Sequence, residues 1–157
     1  MLLYGPAVLR LAVGSIFVAH GAQKLFGVWG GGGLAGTAGF FAGLGLTPAY
    51  PLAILAGVVE FAGGTMLIAG ALTRFAALAL IVNMAIAVWK VHLVNGFFLN
   101  WNLVAGQGHG YEFNLVLTGA LASLVITGAG ALSIDGQRAR SAESRSYGRA
   151  RLRAGHV

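Results

Sequence analysis

PLAILAGVVEFAGGTMLIAGAL, residues 51–72, is a continuous apolar stretch with a single carboxylate, Glu60, near its middle. A helix that crosses a bilayer takes about 20 mostly apolar residues, and this stretch supplies them. A charge at that depth costs roughly 2.5–3.5 kcal/mol on insertion scales. The fold therefore has to answer Glu60 with a partner, and the search for that partner runs outward along the chain.

Of the 157 residues, 57% are hydrophobic and 9% are charged, with a mean hydropathy of +0.81. Soluble domains are about 25% charged, so the composition is that of an integral membrane protein in contact with a lipid bilayer. The absence of cysteine excludes thiol–disulfide chemistry, thiolate metal sites and iron–sulfur clusters. The formal charge of +6 is concentrated at the end of the chain, where arginines 138, 140, 145, 149, 151 and 153 face one acid, Glu143. A cationic tail beside a membrane is the ordinary meaning of such a run, and nothing points to nucleic acid.

The pattern predicts an all-α, four-helix membrane bundle with spans at about 5–26, 51–72, 75–93 and 112–132. The first, GPAVLRLAVGSIFVAHGAQKLF, has no positive charge before Arg10 and no small-x-small cleavage site followed by a polar mature start, and reads as a retained span. Gly30–Gly33 cannot lie inside a stable helix, since each glycine costs about 1 kcal/mol there relative to alanine. Leu34–Leu46 is apolar but too short to cross, which suits an interfacial or re-entrant segment. Leu93–Tyr111 is a second long loop, rich in aromatics that fit a headgroup belt. Residues 1–136 form the predicted membrane domain, and 137–157 have the composition of a disordered tail. Four spans put both termini on one side together with Arg10, Arg74 and the tail arginines, leaving Lys24 and Lys90 opposite. The positive-inside rule makes that side cytoplasmic.

Helical spacing sorts the polar residues. Arg10, Phe17 and Lys24 are seven apart, and His20 is one turn from Lys24, so they share a face of the first helix. Gly57, Glu60 and Gly64 share a face of the second, where small residues let another backbone approach. Asn83 aligns with Lys90 on the third, and Glu112 opens the fourth. The candidate partners of Glu60 are Arg10, His20 and Asn83, with Arg10 preferred because its long side chain can reach inward. A protonated carboxyl is the other solution. That pairing predicts that Glu60→Gln and Arg10→Ala each harm the protein by stranding the other group. Metal or haem ligation is not expected. His20 and His92 lack a histidine three or four residues away, and His109 lies in a glycine loop.

LRLAVGSIFVAHGAQKLFG (9–27), GFFAGLGLTP (39–48), VVEFAGGTMLIAGALTRFAAL (58–78), the Lys90-x-His92 end of the third span followed by Asn95-Gly96-Phe97, and FNLVLTGALASLVITGAGALSID (113–135) occur in an order that resembles the DoxX family. The resemblance covers about residues 5–136 and leaves out the arginine tail. It implies a small four-helix protein of the bacterial plasma membrane, of a family described as oxidoreductases. Its relatives named DoxD are subunits of a thiosulfate:quinone oxidoreductase, and a mycobacterial DoxX is linked to superoxide dismutase and a sulfurtransferase. The family's polar pattern falls on Arg10, His20, Lys24, Glu60, Arg74, His92 and Glu112.

Three functions compete on these grounds. In the first, an accessory component of membrane redox or oxidative-stress metabolism binds a quinone and works with soluble redox or sulfur-metabolism proteins. Glu60 or His20 would be its proton-moving, catalytic candidates. Arg10, Lys24, Asn83, Lys90, His92 and Glu112 would be its ligand-binding candidates. The second is a non-enzymatic scaffold that recruits partners through the tail. The third is a small proton-coupled carrier or lipid-binding protein, which would need to form a homo-oligomer.

Overall fold

The computed structural model describes residues 4–142, and its long helices follow from the apolar pattern. The elements are α1 (Gly5–Phe26), a 3-10 turn (Val28–Gly30), α2 (Gly33–Gly43), α3 (Ala49–Ala69), α4 (Thr73–Ala87) and α5 (Glu112–Thr127). α4 runs on through a π-helical turn (Val88–His92) and a 3-10 turn (Leu93–Asn95). No strand occurs among the described residues. Three helices, Gly5–Phe26, Ala49–Ala69 and Thr73–Asn95, are long and apolar enough to cross a membrane.

Each long helix buries one seam with alternating three- and four-residue steps, the pattern of left-handed bundle packing. On α1 it is Ala7, Arg10, Gly14, Phe17 and Gly21, and on α3 it is Ala53, Gly57, Glu60, Gly64 and Leu67. These two seams run antiparallel at backbone contact. A Cβ on Gly14 would lie 2.8 Å from the Gly64 carbonyl oxygen, and one on Gly64 would lie 2.8 Å from the Val18 nitrogen. Lipid tails are as apolar as leucine, so membrane helices gain association energy from such close packing. α4 (Thr73, Ala77, Leu80, Met84) and α5 (Asn114, Leu117, Leu121, Leu124) repeat the pattern and close the core around Phe17, Leu67 and Leu80. The opposite faces are also apolar, with Val8, Leu11, Leu55, Val58, Phe75, Leu78, Leu115 and Val116 exposed. So much outward apolar surface requires lipid as the solvent.

α2 is the short helix expected after α1. Its 11 residues are too few to cross, and it packs on α1 and α3, with the Thr37 hydroxyl 3.5 Å from the Lys24 carbonyl oxygen. The glycine run before it is non-helical as anticipated, with Trp29 at φ 50° and Gly30 at φ 80°.

Two boundaries differ from expectation. The last span was expected to reach 132, but α5 stops at Thr127, about 24 Å long at 1.5 Å per residue. Gly128 (φ 76°), Gly130 (φ 67°) and Leu132 (φ 52°) turn the chain back across the end of the bundle. The disordered tail was expected from 137, yet 134–142 is helical. Asp135 explains that order. Its two carboxylate oxygens accept from Leu72 N–H and Thr73 N–H, both at 2.9 Å, while its own N–H donates to the Gly70 carbonyl. It thus caps the N-terminus of α4 from 62 residues away along the chain. The tail arginines at 145, 149, 151 and 153 lie outside the described residues.

Burial alone would raise the Asp135 carboxyl, but the Thr73 and Leu72 N–H groups, helped by Arg138, hold it below its ordinary 3.8. A depressed folded value means the cap stabilises above the ordinary carboxyl range and is lost as pH falls through the lower one. Asp135→Asn should therefore lower stability at neutral pH by about 1 kcal/mol, a typical cap contribution. It should also remove the part of the acid sensitivity, below about pH 4, that this carboxyl supplies. Melting temperatures of both proteins between pH 3 and 7 check this, and parallel acid limbs would refute it.

Candidate functional site

Arg10 is 1% exposed, yet it does not meet Glu60. Its Nε donates to the Ala129 carbonyl at 2.8 Å, Nη1 to Leu67 and Ile68 at 2.9 and 3.1 Å, and Nη2 to Ala131 and Leu132 at 3.0 and 3.1 Å. Its five bonds satisfy the frayed end of α3 and the carbonyls released where α5 stops. A cation at a helix C-terminus also complements the dipole. Gly70 makes room, since its φ is 65° and a Cβ there would press on Arg10 and Ser133. The preferred Arg10–Glu60 pairing is therefore corrected. In the antiparallel register that sets Gly14 against Gly64, Arg10 falls beside Leu67, seven residues and about 10 Å of rise beyond Glu60.

Glu60 finds its partners elsewhere. Lys24 Nζ of α1 lies 2.5 Å from Oε2, and Asn83 Nδ2 of α4 donates to Oε1 at 2.9 Å. Asn83 was among the expected partners. Lys24 was not among the expected partners of Glu60. Three helices thus converge on one carboxylate that is itself only 4% exposed.

This cluster forms part of the lining of a cavity of about 890 Å³. Most of the wall is apolar. Phe40 and Phe41 come from α2 and Leu44 from its C-cap, Leu52 and Leu55 from α3, Val82 and Ile86 from α4, and Phe113 and Leu117 from α5. The polar lining is small and specific. It comprises His20, Lys24, Glu60 and Asn83, Thr37 of α2, Asn114 beside Met84, and Lys90, His92 and His109 toward the α4–α5 loop. The π-helical turn widens the backbone at Val88–His92, which lets Lys90, Val91 and His92 all reach the lining.

Six of the eight candidate residues, His20, Lys24, Glu60, Asn83, Lys90 and His92, therefore share one cavity. Arg10 does not line it. Nor does Glu112, whose Oε1 accepts from Leu99 N–H at 2.9 Å and fastens the α4–α5 loop. The sequence reading left out Asn114 and gave His109 no role. Asn114 has a signal, since it follows the buried seam of α5 by three residues before Leu117. His109 has none, because the loop geometry that brings it to the cavity is not periodic. Among the described residues, no group of three histidine, aspartate or glutamate side chains could hold a metal ion.

Chemically, the cavity offers a charged hydrogen-bonding wall inside an apolar enclosure. Ligand clefts are typically about 300–1,000 Å³, mostly apolar, with a few placed polar groups. The Glu60 carboxylate has about four lone-pair sites, of which Lys24 and Asn83 take two.

The DoxX family model matches residues 5–93. An uncharacterized protein of Haemophilus influenzae is 32% identical over 136 residues, covering 84% of this chain and 89% of its own length. An uncharacterized membrane protein of Mycobacterium tuberculosis is 34% identical over 135 residues, covering 83% of this chain and 80% of its own. No solved structure matches the chain significantly.

Proposed function

Starting from the fact that the chain is a membrane protein belonging to the DoxX family, we propose that it binds a quinone-type amphiphile in the cavity around Glu60, as an accessory component of membrane redox metabolism. The observation that carries this reading is the convergence of Lys24, Glu60 and Asn83 on the wall of an otherwise apolar cavity. A quinone needs that combination of an apolar slot for its ring and hydrogen-bond donors for its oxygen. An isoprenoid tail longer than the cavity would continue into the bilayer.

A bound quinone would supply the electron-accepting chemistry. The chain's residues do the rest. Lys24 and Asn83 are donors within reach of a carbonyl oxygen in the cavity, and each is held in place by the carboxylate. Glu60 fixes both donors and offers a proton acceptor, with His20 one helical turn from Lys24 on the same lining. The aromatic pair Phe40 and Phe41 of α2, centroids 6.2 Å apart and planes tilted 48° to each other, adds apolar aromatic surface to the wall.

The proposed setting is the bacterial plasma membrane, with four crossings and both termini cytoplasmic. α5 runs antiparallel to α4, as the Asn114–Met84 and Arg74–Ile126 contacts at its two ends require. α5 would make the fourth crossing, with residues 128–132 folded over its end. Arg10, Arg74 and Arg138 then sit toward one end, with Lys24 and Lys90 toward the other, in keeping with the positive-inside rule.

Mass spectrometry and absorbance of small molecules that copurify in mild detergent test the reading. Wild-type protein should carry a quinone near one per chain. Glu60→Gln, which turns an amide N–H toward the Lys24 ammonium, should reduce occupancy about tenfold while leaving the fold intact, on the scale of one lost charge-assisted contact. Wild-type protein holding nothing beyond bulk lipid would overturn it.

A further inference from the structure

The loop between α4 and α5 is constructed to hold two imidazoles. Gly110 N–H donates to Phe98 O, Tyr111 N–H to Gly96 O and Glu112 N–H to Phe97 O, at 2.9–3.1 Å, so the loop closes on itself at its base. Inside it, Asn100 is 8% exposed, donates to the carbonyls of Val104 and Gln107, and accepts from Val104 N–H. Gly110 is required by this closure, since a Cβ there would press on the carbonyls of Gly96 and Phe98.

The bonds at the two rings fix where their protons sit. His92 Nδ1 lies 2.9 Å from the His109 carbonyl oxygen. A carbonyl only accepts, so His92 Nδ1 carries the hydrogen, and in the neutral ring its Nε2 is a bare acceptor. Asn100 N–H points at His109 Nδ1 at 3.2 Å. A backbone N–H only donates, so His109 Nδ1 is bare and its Nε2 carries the hydrogen. Neither Nε2 has a partner among the described residues, and both rings line the cavity. The loop therefore brings one acceptor and one donor to the lining of the cavity.

A group that both donates and accepts engages both nitrogens. A hydroxyl gives its hydrogen to His92 Nε2 and takes one from His109 Nε2–H. A carbonyl oxygen has no hydrogen to give, so it uses His109 and leaves His92 unanswered. We propose that the His92–His109 pair is a second polar pole of the cavity and that it selects a hydroxyl over a carbonyl, so that the site favours the reduced, hydroquinone form of its ligand. This rests on the quinone reading above and adds the redox state to it. Asn83 and His92 are nine residues apart on the α4 continuation, about 13 Å of rise. The two poles thus lie at different levels of one cavity, and a para-dioxygenated ring with its substituents lies between them.

The test is equilibrium binding, under anaerobic conditions in detergent, of decylubiquinone and its chemically reduced hydroquinone. The wild type should bind the hydroquinone about fivefold or more tightly, the equivalent of one further hydrogen bond. His92→Ala should weaken the hydroquinone to the level of the quinone and leave the quinone unchanged. His109→Ala should weaken both, because both use its donor. Equal wild-type affinity for the two forms overturns the selection while leaving the cavity reading standing. That comparison needs no variant to fold. Binding of neither form overturns the cavity reading and the selection together.

Discussion

Gly64→Leu should leave almost no folded protein in mild detergent, a loss of at least about 3 kcal/mol, the upper part of the over-packing range. A Cβ at Gly64 would lie 2.7 Å from the Gly14 carbonyl oxygen and 2.8 Å from the Val18 nitrogen. Both are backbone atoms of a helix and cannot rotate aside as a side chain would. Relief requires α1 and α3 to separate, which would also draw Lys24 away from Glu60. Gly119 of α5 is the control, since nothing lies within 4 Å of its added Cβ. Gly119→Ala should be neutral or stabilise by about 0.5–1 kcal/mol through helix propensity. Thermal unfolding followed by size-exclusion chromatography reads both. A Gly64→Leu protein melting within a few degrees of the wild type would contradict the observed crossing.

The second large effect is at Arg10. Arg10→Leu removes the donor from five carbonyls, of which those of Ala129, Leu67 and Ala131 are held in fully buried bonds. Unsatisfied buried acceptors cost about 1–3 kcal/mol each. Even if most of the five relax, the loss should exceed about 3 kcal/mol. Arg10→Lys should recover only part of it, because an ammonium lacks the planar fork that reaches both sides of the cage. Double-mutant cycles separate this role from that of the carboxylate cluster. Arg10 and Glu60 should be additive to within about 0.5 kcal/mol, while Lys24 and Glu60, in contact, should couple by about 0.5–3 kcal/mol. Coupling between Arg10 and Glu60 would restore the pairing that the structure replaces.

The failure of that pairing shows where sequence reasoning stops. The helices were legible from apolar length and from three- and four-residue spacing, and the glycine face around Glu60 correctly marked the closest approach of another backbone. Register was not legible. Gly14 and Gly21 on α1 repeat at seven, as do Gly57 and Gly64 on α3. Sliding one helix by seven residues still sets one glycine of each helix against the other, as Gly14 against Gly57. One register sets Arg10 near Glu60, and the other sets it beside Leu67. What decides between them is the cage at 129–132, formed by residues that read as a continuation of the last helix. Three left-handed φ values there, at Gly128, Gly130 and Leu132, stop α5 and aim its freed carbonyls inward.

The candidate site divides the same way. Residues on helices reached the cavity in a pattern that spacing could suggest, since His20 and Lys24, and Asn83 and Lys90, are one or two turns apart. Lys90 and His92 share the lining because of a π-helical turn, which no periodicity announces. His109 arrives through a loop whose shape depends on Asn100 and Glu112 satisfying particular backbone groups.

The Arg10 cage also sets an order of events during biogenesis. The guanidinium leaves the ribosome early, but the carbonyl of Leu132, the last of its acceptors, comes 122 residues later. At about 5–20 residues per second, the first helix waits roughly 6–24 s for the last of its acceptors. During that interval a charged group near one end of the first span has no permanent counterpart, and the long arginine side chain can reach back toward the interface. A chain that fails to make residues 128–132 keeps that loose cation indefinitely. Completion of the cage thus requires that the chain has been made through residue 132.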